Sequence, residues 1–174
     1  MRSLAEQNDT ELGGPVSVLT RQKRDHMQLD RLLHELDEAQ PAAQDDVLRR
    51  IYRLVFSHAF AEETVLWPVL RRVLPDGDAL TLRVEEEHQE VNDLVTALER
   101  DGVDDPRRPE RLARLVEVLR EDVRDEEDVL LPRLQDRLDH QELRRLGNRW
   151  ELMRRIAPTD GSLSGGVRSF RRGN

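Results

Sequence analysis

The sequence predicts an all-α protein, an up-down-up-down four-helix bundle followed by a short fifth helix on its C-terminal side. Three observations carry this. The composition is 37% hydrophobic, 37% charged and 3% aromatic, rich in Leu, Ala, Arg, Glu and Asp and poor in the β-branched and aromatic residues that strands favour. Apolar residues recur with a 3.6-residue period through four long segments. The breaks between those segments are short, which makes successive helices antiparallel neighbours. At 174 residues the chain has the length of one domain.

Residues 1–15 are polar, without apolar periodicity, and are expected as a flexible N-terminus. The bundle domain is expected over residues 16–157. Its first helix runs from about Val16 to Ala39 and is closed by Gln40-Pro41. The second runs from about Asp46 to Leu74 and stops at Pro75-Asp76-Gly77. The third runs from about Asp78 to Arg100, before Asp101-Gly102. The fourth, from about Glu110 to Leu138, follows Pro106 and Pro109. From Gln141 to Ile156, Leu143, Leu146, Trp150 and Met153 share one face of a fifth helix, expected to cap the bundle. Beyond Pro158 the chain has no periodicity, so 158–174 are expected as a disordered tail.

The second and fourth helices repeat each other at a shift of 64. Glu62-Glu63 matches Glu126-Glu127, Val65-Leu66 matches Val129-Leu130, and Pro68 matches Pro132. A weaker echo relates His26 and Leu29 to His88 and Val91 at a shift of 62. The bundle therefore reads as two similar helical hairpins related by an approximate two-fold axis.

Within the apolar stripes certain places are taken by titratable groups. Ile51, Val55, Val65 and Val69 leave positions 58 and 62, which are His58 and Glu62. Leu112, Leu115, Leu119 and Val129 leave 122 and 126, which are Asp122 and Glu126. His88 fills a gap in the third helix, and His26 extends the stripe of the first. Counted from the ends of the helices, these groups lie at one level, roughly 18 Å into the bundle at about 1.5 Å per residue. An unpaired buried carboxylate costs several kcal/mol, and a whole domain is stable by only about 5 to 15 kcal/mol. One or two divalent or trivalent cations would compensate three buried acids; three imidazoles could do so only by being charged. The (i, i+4) spacing of His58 and Glu62 aims both at one point, and nitrogen and oxygen donors without sulfur suit iron or manganese, with zinc also admissible. Taken singly, His26 or His88 reads as a satisfied core histidine, and Glu62 and Glu126 as members of a buried ion pair. Glu121 and Asp125 are alternatives to Asp122.

The absence of Cys removes thiolate metal sites, iron–sulfur clusters and disulfides. A net charge of −8 argues against nucleic acid as a partner, because phosphate contacts need a basic footprint. No apolar segment has the length of a signal peptide or membrane span, so a cytoplasmic protein without membrane attachment is expected.

With these residues in place, the sequence resembles the hemerythrin-like HHE cation-binding family over roughly residues 16–157. The motifs are Asp25-His26, HAFAEETVLWP from His58, EEEH ending at His88, and DVRDEEDVLLP from Asp122. The resemblance implies a non-haem iron centre of two oxo- or hydroxo-bridged ions in the bundle core. Glu62 and Glu126 would be the bridging carboxylates, and His26, His58 and His88 terminal ligands. Asp122 stands where the family has a histidine, and Asn92 where oxygen-carrying hemerythrins have one. This oxygen-rich set favours ferric iron, so binding or sensing of O2, NO or peroxide is expected in preference to reversible oxygen carriage. The alternatives are a di-iron oxidase or catalase-like peroxide-decomposing enzyme, and a metal-free interaction bundle whose acidic stripe is a solvated cleft.

Overall fold

A computed structural model describes residues 1–102 and 104–157; the expected tail at 158–174 lies outside the described residues. A 3-10 turn at Leu4–Glu6 precedes α1 (Val18–Glu38). The second rod comprises α2 (Pro41–Ala61), a π-helical segment (Glu62–Leu66) and α3 (Trp67–Val73). After α4 (Gly77–Asp101), the fourth rod comprises α5 (Arg108–Asp125), a second π-helical segment (Glu126–Leu130) and α6 (Leu131–Gln135). The last helix is α7 (His140–Ile156). No strand occurs among the described residues. α1 packs on α2, α3 on α4, and α4 on α5, giving the expected four rods.

Local chemistry explains the boundaries. The side chain of Ser17 caps α1 by accepting from the Leu19 amide, and Asp139 and Glu142 form a reciprocal capping box at the start of α7. α2 begins five residues before the apolar pattern does. Pro41 sits in its first turn, where a missing amide hydrogen is harmless, but the first buried side chains are Val47 and Leu48. The first turn of α2 therefore overhangs the core and carries no periodic signal.

Both π segments have the same cause. Pro68 and Pro132 fall in the first turns of α3 and α6 and cannot donate an (i, i−4) hydrogen bond. The ladder widens just upstream, so that Trp67 donates to the carbonyl of Glu62 and Leu131 to that of Glu126. The two wide turns start on the candidate ligands Glu62 and Glu126. One packing expectation fails here. Val65 is buried but Val129 is 43% exposed: α7 lies against the first π segment, whereas the second is met by the short 3-10 turn at Leu4–Glu6.

α7 does not cap an end of the bundle. It lies along α1 and α2, burying Leu143, Leu146 and Trp150. The close approach requires Gly147, whose missing Cβ would fall 1.9 Å from the Val16 carbonyl oxygen. The N-terminus is not a flexible lead either. Leu4 and Leu12 are fully buried, worth about 2 kcal/mol each. Lys23 Nζ donates to the carbonyls of Ala5 (2.8 Å) and Gln7 (2.6 Å), while the amides of Gln7 and Gln135 bond reciprocally.

The core is divided into two layers. One contains Leu19, Leu66, Trp67, Leu131 and Trp150, the other Leu29, Ile51, Val91, Val95 and Leu119. The chain crosses from one layer to the other at His26, at His58 to Glu62, at His88, and at Asp122 to Glu126, so these groups form a polar plane between two aliphatic blocks.

Candidate metal centre

All six candidate residues project into that plane. His26, His58, Glu62, His88 and Glu126 are buried. Asp122 is half-buried as a residue, yet its Oδ1 is sealed from solvent and has no hydrogen-bond partner. The stripe is thus no solvated cleft: Glu62 is 0% and Glu126 1% exposed.

The three imidazoles are oriented alike. Each directs Nδ1 outward to donate to a carboxylate: His26 to Glu127 (2.9 Å), His58 to Asp25 (3.1 Å) and His88 to Glu63 (3.1 Å). Each Nε2 then points inward, to Glu126 Oε2 at 3.1 Å, Glu62 Oε1 at 3.2 Å and Glu62 Oε2 at 3.5 Å respectively. An outer carboxylate that fixes imidazole orientation and leaves the other nitrogen as a donor is the usual support of a metal-ligating histidine. Glu63 and Glu127 thus have a use that their neighbours do not share: in each Glu-Glu pair the first points to the centre and the second holds a histidine on another helix. Sequence reasoning left Asp25, Glu63 and Glu127 without roles. The paired EE repeat and the Asp25-His26 dipeptide were the available signals. Gln22, also missed, donates from Nε2 to Glu62 Oε1 at 2.6 Å. Trp67 stacks on His88 with ring centroids 6.3 Å apart, and Trp150 meets His58 edge-on at 5.5 Å.

The inner atoms fit a cation better than they fit each other. Glu62 Oε2, both carboxylate oxygens of Glu126, His26 Nε2 and Asp122 Oδ1 are buried without a hydrogen bond, although His26 Nε2 and Glu126 Oε2 are only 3.1 Å apart. Ligands at right angles around one ion with bonds of about 2.1 Å lie about 3.0 Å apart, which is this spacing. Two groups have donor atoms close enough to share an ion: His26, His58 and Glu126; and Glu62, His88 and Glu126. Glu126 belongs to both, and Glu62 reaches both His58 and His88. Asp122 belongs to neither group.

Burial lowers the His26 and His88 pKa, but hydrogen bonds and nearby charges outweigh it and hold both at about 9: Glu126 and Glu127 for His26, Glu63, Asp122 and Glu62 for His88. His58 is likewise raised, burial being outweighed by Glu62 and Asp25. Burial works against Glu62 too, yet His58 and His88 hold it down at about 2. Glu126 and Asp122 move the other way. Burial, then the charge of Glu62 for the former and of Glu126 for the latter, push both carboxyls above the ordinary range. Charged His58 and His88 hold Glu62 ionised, while Glu126 and Asp122 are pushed toward their protonated forms.

Within the centre lies a cavity of about 20 Å³, walled on its polar side by His26, His58, His88 and Asp122 and on its apolar side by Leu29, Leu54, Val55, Leu119 and Val123. It has room for about one water-sized molecule.

The model of the hemerythrin HHE cation-binding domain matches residues 17–134. A protein of Nostoc sp. described as "DNA nickase" is 26% identical over 121 residues, covering 69% of this chain and 34% of that protein. The chain thus spans about a third of that relative's length. No solved structure matches.

Proposed function

The chain belongs to the hemerythrin HHE cation-binding domain family, and from that premise we propose that its core holds a non-haem pair of iron ions that binds or senses a small diatomic, O2 or NO, or peroxide. The observation that carries this reading is the convergence of buried, unpartnered oxygen and nitrogen atoms from four rods on one point, with every imidazole aimed there by an outer carboxylate. His26, His58, His88, Glu62 and Glu126 would hold the metal. Manganese or zinc suits the same donors. Bound iron supplies an electron source and open coordination positions.

The chain's own residues set what reaches that point. The small volume of the cavity admits a molecule of a few atoms and excludes larger substrates. Asp122 lies on the wall of this space beside His26, His58 and His88, and burial and the charge of Glu126 raise its carboxyl above the ordinary range in the metal-free chain. The same placement favours a second reading, decomposition of peroxide, because that chemistry needs an acid beside the metal position.

Titrating the anaerobically reduced, iron-loaded chain with NO and with hydrogen peroxide tests both. The binding reading expects a stoichiometric change in visible absorption that Glu62→Ala abolishes. Sustained peroxide turnover, lost in the same variant, favours the enzyme. A stable and reversible spectrum with O2 would contradict the oxygen-rich ligand set. This reading gives the chain no nucleic-acid partner, since its net charge is −8; nicking of a supercoiled plasmid by the iron-loaded chain would overturn that part. No helix among the described residues is long and apolar enough to cross a membrane, and the reading places the chain in the cytoplasm.

A further inference from the structure

Away from the metal centre, α1, α2 and α7 enclose an open cleft of about 420 Å³ whose charge opposes that of the chain. Its walls include four guanidinium groups, Arg50 and Arg53 from α2 and Arg154 and Arg155 from α7, against one carboxylate, Glu151, with Leu32 and Leu54 at its apolar side. The chain as a whole carries −8. Such a concentration of like charge opposes folding unless it has a use.

The pairing of these groups shows how much of the charge is unspent. Arg50 pairs with Glu35 and Arg155 with Glu151 (2.8 Å), all but Glu151 well exposed; exposed pairs of this kind are worth under about 1 kcal/mol and yield readily to a better anion. Glu151 is also held by Arg21 at 2.6 Å. Arg53 forms no ion pair among the described residues. Arg154 reaches Asp25 at 3.0 Å and lies over the Trp150 ring, but its buried Nε has no acceptor among the described residues.

The geometry points to a binding site for a small phosphorylated molecule in this cleft. Four guanidiniums from two helices meet three carboxylates, Glu35, Asp25 and Glu151, the last shared with Arg21; Arg53 and the Arg154 Nε keep donors unused among the described residues, which the several oxygens of a phosphate or pyrophosphate group can accept. The volume exceeds that of the anion alone and lies in the range of ordinary small-molecule sites, so Leu32 and Leu54 are left to contact an attached apolar or ring portion. Arg154 joins this site to the metal centre, because the Asp25 that it pairs with is the carboxylate that orients His58.

Calorimetric titration of the full chain with sodium pyrophosphate, at fixed ionic strength and with and without iron, tests the site independently of the metal reading. The expected result in both states is saturable one-to-one binding with Kd on the order of 0.1 mM, weakened about tenfold in Arg53→Gln and in Arg155→Gln. Both side chains are exposed, so the variants keep the fold, which circular dichroism confirms. Binding no tighter than that of chloride would overturn the proposal. So would binding that survives the double variant but disappears when Arg168, Arg171 and Arg172 are replaced. Cosedimentation with anionic phospholipid vesicles without affinity for free pyrophosphate would overturn the small-molecule assignment.

Discussion

Raising the pH on the metal-free chain should destabilise it, and loading with iron should remove that dependence. His26 and His88 have folded-state pKa values of about 9, against 6.5 for the free side chain. A group raised in this way contributes its full stabilisation below about pH 6.5 and loses it as the pH climbs through about 9. At about 1.4 kcal/mol per pKa unit, each histidine is worth about 3 kcal/mol. The two share carboxylates, so together they give between about 3 and 6 kcal/mol, a large part of a domain stability of about 5 to 15 kcal/mol. Asp122 and Glu126, also raised, lose stabilisation in the same direction above the ordinary carboxyl range. Glu62, lowered to about 2, contributes above about pH 4.5 and is lost only as the pH falls through about 2. Urea titrations followed by circular dichroism should therefore show the midpoint falling by about 1.5 to 3 M between about pH 6 and pH 9, with a slope near 2 kcal/mol per M. In the iron-loaded chain the imidazoles are held deprotonated by the metal and the midpoint should be nearly flat over that range. A metal-free midpoint that is level or rises would refute the ion-paired core described above.

Other consequences are as specific. Asp122→His should shift the charge-transfer absorption of the iron-loaded chain if position 122 reaches an ion; an unchanged spectrum would place it outside the coordination sphere. Asp25→Ala removes the acceptor that orients His58 and the partner of Arg154, and should lower iron affinity about 10- to 100-fold, measured by competition with a chelator. Equal affinity would mean that Asp25 has no part in the site. Gly147→Ala drives a methyl group into the Val16 backbone and should destabilise by more than about 3 kcal/mol. Its melting curve, with red-shifted Trp150 emission, checks that α7 docks along α1; a variant as stable as the parent would contradict that docking.

The rods were legible because each buries one continuous stripe, and the site because six polar residues interrupt those stripes at one height. What escaped the periodic pattern was set by groups without periodicity. The exposed first turn of α2 is dictated by Pro41, and the wide turns at Glu62 and Glu126 by prolines downstream. Leu4 and Leu12 are too few to form a pattern, and their burial depends on Lys23 and Gln135 far along the chain. Asp25 is buried and Glu63 and Glu127 are half-buried, each adjacent in sequence to a candidate ligand. Their roles follow from which helix stands opposite, and only tertiary packing decides that.

Iron content per chain, measured by elemental analysis after anaerobic loading and desalting, tests the central claim most directly. The arrangement of two donor groups sharing Glu126 predicts about two ions in the parent and under about one in Glu126→Ala, with the helical content retained. A parent chain that holds less than about one ion, or a Glu126→Ala variant that holds as much as the parent, would contradict it.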